Sequence, residues 1–124
     1  MSEMIGIATV KYVVPDLARA KAWYADAFGV QPYFDEPYYV GFRVGGNELG
    51  LDPDLAVQQP GAGGATAYWA VADARATVRR LESLGARICE PLQEVGGGIT
   101  IGSVLDPFGN IVGIIQNPHY RPGA

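Results

Sequence analysis

The hydrophobic and polar positions of the chain follow one pattern written twice. The first half runs "ATVKYVVPDLARAKAWYADAFGV", then "YYVGFRV", then "NELGLDPD". The second runs "ATAYWAVADARATVRRLESLGA", then "ITIGSVLDP", then "NIVGIIQNP". Each half opens with two-residue alternation, the mark of a half-buried strand. An Asp follows, then apolar residues at helical spacing, then a Gly. Leu17, Ala20, Tyr24 and Ala27 share one face of the first helix; Ala74, Thr77, Val78, Leu81 and Leu84 share one face of the second. Asp16 and Asp73 stand where a side-chain oxygen accepts an orphan N–H of the first turn. Gly29 and Gly85 stand where a left-handed cap ends a helix. Three short strands follow each helix. The pattern predicts β-α-β-β-β twice, over about 4–57 and about 65–118, with "QQPGAGGA" (Gln58 to Ala65) as the linker.

The expected fold class is α+β. A lone module covers one sheet face with its helix and leaves the other open. Two modules side by side would form one domain over 1–124, an eight-stranded curved sheet around a cup with helices outside, and such a cup suits a small molecule. The segment "VLDPFGNIVGIIQNPHY" reads as strand, turn and strand. Pro107 presets the turn, Gly109 can take a positive φ, and Asn110 opens the last strand. Gly113 interrupts a strand of Ile and Val, which marks a close approach to the backbone.

Composition narrows the functions. The 124 residues are 48% hydrophobic, enough for a real core, and carry nine basic and 13 acidic side chains for a net charge of −4. There is no basic run, which argues against a nucleic-acid surface. No apolar run approaches a membrane span, and the start lacks a signal-peptide pattern. Cys89 is the single cysteine, so an internal disulfide is excluded and a reducing cytosol is the expected compartment. Without a base spaced near it, Cys89 reads as a buried structural thiol.

The segments "PDLARAKAWY…FGV" and "DPFGNIVGIIQ", within the doubled pattern, resemble the vicinal oxygen chelate superfamily of glyoxalases, extradiol dioxygenases and bleomycin-resistance proteins. The resemblance covers nearly the whole chain and implies paired βαβββ modules, usually in a homodimer. In the superfamily's metal enzymes, the first and last strand of each module each give one ligand to a divalent ion. Carried over by position, those ligands fall on Thr9, Gly50, Ala67 and Gly113. Three of these have no donor side chain and Thr9 has only a neutral hydroxyl, whereas a protein metal site needs about three or four N, O or S ligands. The resemblance therefore implies no metal ligands of the family type and no cofactor, with small residues leaving room in the cup. Glu48 and Asp52 flank Gly50 two residues either way, so a slipped register would offer an unusual carboxylate site.

Other side chains extend the candidate site. Alternation puts Lys11 on the face of Thr9, either solvated at the cup mouth or serving as a cation for an anionic ligand. Asp52 stands level with it if the strands are parallel, and the two could pair. Trp69 follows Ala67 by two and is expected in the cup, as filler or as a stacking plate. One of Phe42 and Arg43 is expected to line the pocket. "EVGGGIT" resembles a phosphate loop but precedes a strand, so it reads as a hairpin loop. His119, past the last strand, reads as a surface or dimer-contact residue. The ligand-binding set is thus Thr9, Lys11, Phe42, Arg43, Gly50, Asp52, Ala67, Trp69 and Gly113. The favoured function is a metal-independent small-molecule binding protein that sequesters a toxic compound or antibiotic. The alternatives are an enzyme of the same fold and an accessory dimeric domain with a vestigial cup.

Overall fold

The structure is a computed structural model, and it describes residues 7–56, 58–63 and 65–121. Among the described residues the order is β1 (Thr9–Val13), α1 (Leu17–Phe28), β2 (Phe34–Glu36), β3 (Tyr39–Val44), β4 (Asn47–Asp52), β5 (Tyr68–Ala70), α2 (Ala74–Ser83), β6 (Arg87–Glu94), β7 (Thr100–Leu105) and β8 (Ile111–Gln116). This is the α+β pair of βαβββ modules that the doubled pattern predicts. The chain divides into two compact units between Gln59 and Pro60, inside the predicted linker. Each unit holds one four-stranded sheet, ordered β1-β4-β3-β2 in the first and β5-β8-β7-β6 in the second.

The local signals act as expected. Asp16 accepts from Arg19 N–H at 3.1 Å and Asp73 from Ala76 N–H at 3.0 Å, each closing the first turn of its helix. Gly29 ends α1 at φ 66°, and Gly85 turns the chain after α2 at φ 100°. In the β7–β8 turn, the buried Asp106 carboxylate accepts from the N–H groups of Phe108 and Asn110, both at 2.8 Å, while Gly109 takes φ 95°. Asn110 belongs to this turn, and β8 begins one residue later. "EVGGGIT" is the β6–β7 hairpin loop, with Gly96, Gly97 and Gly98 all at positive φ.

The cores follow the helix faces. In the first unit, Ala20 and Tyr24 of α1 pack against Val40, Phe42, Leu49 and Leu51, all buried. Tyr12 stacks on Tyr24 with ring centres 5.7 Å apart, so the even residues of β1 point toward the helix. In the second unit, Ala74, Val78 and Leu81 of α2 pack with Val104, Val112 and Ile114. Cys89 is exposed rather than buried. It lies on the edge strand β6, where Pro91 cannot donate to a ladder and two register shifts break the pairing with β7. His119 is exposed, as read, with Nε2 3.0 Å from the Gly97 carbonyl oxygen.

Candidate functional site

The open face of the first sheet collects the polar side chains. β1 runs parallel to β4 with Thr9 opposite Glu48 and Lys11 opposite Gly50; β3 runs antiparallel with Gly41 opposite Gly50 and Arg43 opposite Glu48. Partners across a ladder share a face. Thr9, Lys11, Arg43, Glu48 and Asp52 therefore stand together, away from α1. Tyr33 and Tyr39 bring their rings onto the same face from the β2–β3 hairpin.

Glu48 is the centre of this group. Its Oε1 accepts from the Tyr39 hydroxyl at 2.7 Å and from the Thr9 hydroxyl at 3.2 Å, and its Oε2 accepts from the Tyr33 hydroxyl. The two tyrosine bonds hold the Glu48 carboxyl below the usual range against the opposing effect of burial, with Thr9 and the nearby Arg43 charge adding to them. Burial pushes the Tyr39 phenol well above its ordinary range, with the bond to Glu48 adding to it. The same carboxylate, chiefly through its hydrogen bond, raises Tyr33. The result is a carboxylate that stays ionised and phenols that stay protonated across the neutral range. The Arg43 guanidinium lies 4.6 Å from the centre of the Tyr33 ring, and Lys11 Nζ is 3.4 Å from Asp52 Oδ2.

The structure joins some predicted residues and separates others. Thr9, Lys11, Arg43, Gly50 and Asp52 share one face. The expected Lys11–Asp52 pair forms along a diagonal, because Val13 is the true neighbour of Asp52 and Glu48 that of Thr9. Phe42 does not join them: it is fully buried on the helix side. Trp69 also leaves the set. It stands opposite Ile114, a core residue, while Tyr68 stands opposite Gly113. Counting back six residues from Asp73 but seven from Asp16 placed unlike faces in register. The hydrogen bonds make Tyr68, not Trp69, the equivalent of Lys11. The reading missed Tyr33 and Tyr39; the aromatic run "YFDEPYYV" before Glu48 was the available signal.

The small residues do not leave the room expected of them. A Cβ on Gly50 would lie 1.9 Å from the Tyr39 hydroxyl oxygen, so that phenol already fills the space. A Cβ on Gly113 would lie 2.6 Å from the Ala67 carbonyl oxygen and 2.7 Å from the Tyr68 ring. Ala67 sits just before β5, and its carbonyl accepts the Gly113 N–H at 2.9 Å. Gly113 is thus a close-approach glycine, as its place inside a strand suggested. These residues do not fit a divalent ion. The positions carry no anionic or imidazole donor, and the nearby Glu48 is already engaged by three hydroxyls. Among the described residues, no group of three or more His, Cys, Asp or Glu is arranged to hold a metal. A pocket of about 420 Å³ lies elsewhere in the first unit, between α1 and the β2–β3 hairpin, floored by Val40 and Leu17 and edged by the Lys21–Asp35 pair at 3.0 Å.

No helix among the described residues is long and apolar enough to cross a membrane. Comparison with known proteins gives a consistent match. Residues 6–114 match the family described as Glyoxalase/Bleomycin resistance protein/Dioxygenase superfamily. Similar solved structures include a glyoxalase-related enzyme from Fulvimarina pelagi, 24% identical, with 98% of this chain and 94% of that chain covered and a TM-score of 0.77. A lactoylglutathione lyase from Agrobacterium tumefaciens is 21% identical, over 93% of this chain and 96% of that one, with a TM-score of 0.71. TioX from Micromonospora sp. ML1 is 22% identical, over 90% and 98%, with a TM-score of 0.67. At these identities the likeness is one of fold. No curated protein sequence matches the chain.

Proposed function

The chain belongs to the glyoxalase, bleomycin resistance protein and dioxygenase superfamily, and from that premise we propose that it binds a small organic molecule on the open face of its first sheet, without the metal of the family's enzymes, and so sequesters a toxic compound or antibiotic. The observation that carries this reading is the Glu48 cluster. A general acid or base works best with a pKa near the operating pH. Glu48 is held below its range and both tyrosines above theirs, so none of the three exchanges a proton readily near neutrality. Fixed oxygens and aromatic rings on a partly open sheet suit recognition. The filled directions at Gly50 and Gly113 support the metal-free part of the proposal. Membership of the family supports a two-fold homodimer, which light scattering at micromolar concentration would register as twice the chain mass, and the single cysteine supports a reducing, cytosolic compartment.

The test combines metal analysis with a ligand screen. The purified protein is expected to carry well under one ion per chain, and chelators are expected to leave its melting temperature unchanged. A library compound that binds is expected to raise the melting temperature by mass action and to shift the amide signals of Thr9, Gly41, Glu48 and Gly50. Stoichiometric metal, lost together with thermal stability on chelation, overturns the metal-free reading.

A further inference from the structure

Resting on that reading, the chemistry of the open face also selects the ligand. A hydroxyl has one proton to donate. Tyr33, Tyr39 and Thr9 each give theirs to Glu48. What these groups can still offer a ligand is lone pairs only: on two phenolic oxygens, one threonine oxygen and the remaining acceptor site of the carboxylate. A carboxylate is itself acceptor-only. The cluster therefore carries a negative charge and has no proton to give. An anion placed against these five oxygens would find no donor among them.

The surroundings point the same way. Two cations border the cluster: Lys11 pairs with Asp52, and the exposed Arg43 guanidinium lies over the Tyr33 ring, at the edge of the oxygen set rather than within it. Phe34, on the face of Gly41, stands edge-on to Tyr39 with ring centres 6.2 Å apart. Tyr33 and Phe34 both remain partly exposed. Aromatic rings beside a carboxylate attract a cation by their quadrupole as well as by the nearby charge.

We propose that the Glu48 cluster is an ammonium subsite, which takes a primary or secondary ammonium group of a small aromatic or aliphatic ligand through acceptors on Glu48, Tyr33, Tyr39 and Thr9. A primary ammonium carries three N–H donors and no acceptor, which complements the oxygen set. Its bonds to the carboxylate are charge-assisted, unlike those of a neutral alcohol.

The experiment is a titration of ¹⁵N-labelled protein at pH 7 with benzylammonium, benzyl alcohol and benzoate. Benzylammonium is expected to shift the amides of Thr9, Gly41, Glu48 and Gly50, with an affinity about fivefold or more above that of benzyl alcohol. Benzoate is expected to leave them in place. Glu48→Gln is expected to weaken benzylammonium by a similar factor. Should that variant fail to fold, Glu48→Asp keeps the charge but draws the carboxylate back from the three hydroxyls, and it is expected to lower the affinity. Benzoate shifting these amides as strongly as benzylammonium, or benzylammonium binding unchanged to a folded variant, overturns the proposal. A neutral or anionic library compound that maps to these amides where benzylammonium does not overturns the ammonium assignment and leaves the binding face standing. If no probe and no library compound shifts them, the binding face itself is wrong.

Discussion

The two modules share a ladder and differ in what they hang on it. Gly50 and Gly113 are equivalent: each lies in the last strand of its module, opposite one residue of the first strand and one of the middle strand. Around Gly50 stand Lys11, Tyr39, Arg43, Glu48 and Asp52. The same places around Gly113 hold Tyr68, Ile101, Leu105, Ile111 and Ile115. The helix faces, by contrast, match closely, with Leu49 and Leu51 answered by Val112 and Ile114 in the cores. Both halves solve the problem of burying a sheet against a helix in the same way. On the open face the halves differ: the first carries two cations, two carboxylates and three hydroxyls around Gly50, while the second is mostly apolar around Gly113, with Ser103 and Glu90 its polar pair at 3.5 Å. That asymmetry is why the proposed ammonium subsite is placed on the first module.

The sharpest way to break this comparison is at the paired glycines. Neither has a positive φ, so substitution there is decided by space. At Gly113 a Cβ meets a backbone carbonyl, which cannot swing away. Gly113→Ala is expected to cost about 1–3 kcal/mol, toward the upper end, as overpacking does. Truncating Tyr68 to Ala is expected not to relieve it. At Gly50 the obstacle is the end of the Tyr39 side chain. Gly50→Ala is expected to push Tyr39 off Glu48 and cost about 0.5–1.5 kcal/mol, the worth of a hydrogen bond. Combined with Tyr39→Leu, it is expected to add little further cost. Urea unfolding of the single and double variants measures both. If Tyr68→Ala rescues Gly113→Ala as fully as Tyr39→Leu rescues Gly50→Ala, the two positions are alike.

These outcomes bear on what could be read before the fold was known. The helices, caps, turns and the order of elements along the chain were legible because each rests on local chemistry: Asp16 and Asp73 cap, Gly29 and Gly109 take left-handed backbone, and alternation marks strands. Counting placed Gly50 and Gly113 at equivalent points, but it put Ala67 one residue past Thr66, the true counterpart of Thr9. Which residues share a face across strands was not legible where it depended on register. A one-residue difference in counting back from Asp73 sent Trp69 to the wrong side. The occupants of the space over Gly50 were hidden for a different reason. Tyr33 and Tyr39 arrive from a hairpin, and nothing local to Gly50 encodes their reach.

The hydroxyl–carboxylate cluster sharpens the comparison through pH, because in its place the second module has only one long contact, from the Ser103 hydroxyl to Glu90 at 3.5 Å. Glu48 has a lower pKa folded than unfolded, so the unfolded chain takes up its proton first as pH falls. Its stabilising contribution is present above the ordinary glutamate value of about 4.3 and is lost as pH falls through that value and below. Tyr39 and Tyr33 have raised values, so the unfolded chain loses their protons first as pH rises. Their contribution is present below about pH 10 and is lost above it. Glu48→Gln is expected to flatten the acid limb of the stability curve, and Tyr39→Phe the alkaline limb, in chemical unfolding followed from pH 3 to pH 11. If neither limb changes, the cluster is not formed in solution.

The smallest expected effect is at the other end of the polar face. The Lys11–Asp52 pair is 3.4 Å long, and both side chains retain solvent access, 43% and 20%. Such pairs are worth about 0.2–1 kcal/mol and are screened by salt. Asp52 has a second task, since its Oδ1 accepts the Asp54 N–H at 2.8 Å and shapes the end of β4. Removing the carboxylate would mix the two roles, so the lysine is the cleaner probe. Lys11→Gln is expected to cost less than about 1 kcal/mol, a fall of roughly 2–5 °C or less in melting temperature. The difference from the parent is expected to vanish in molar salt. The corresponding corner of the second module, Tyr68 with Ile115, has no charge to screen, so Tyr68→Gln is expected to respond to salt no more than the parent does. A salt-independent loss at Lys11 as large as that at Gly113 would mean that the polar face holds the first module together. Its chemistry would then be structural, and the proposal that this face recognises a ligand would fall.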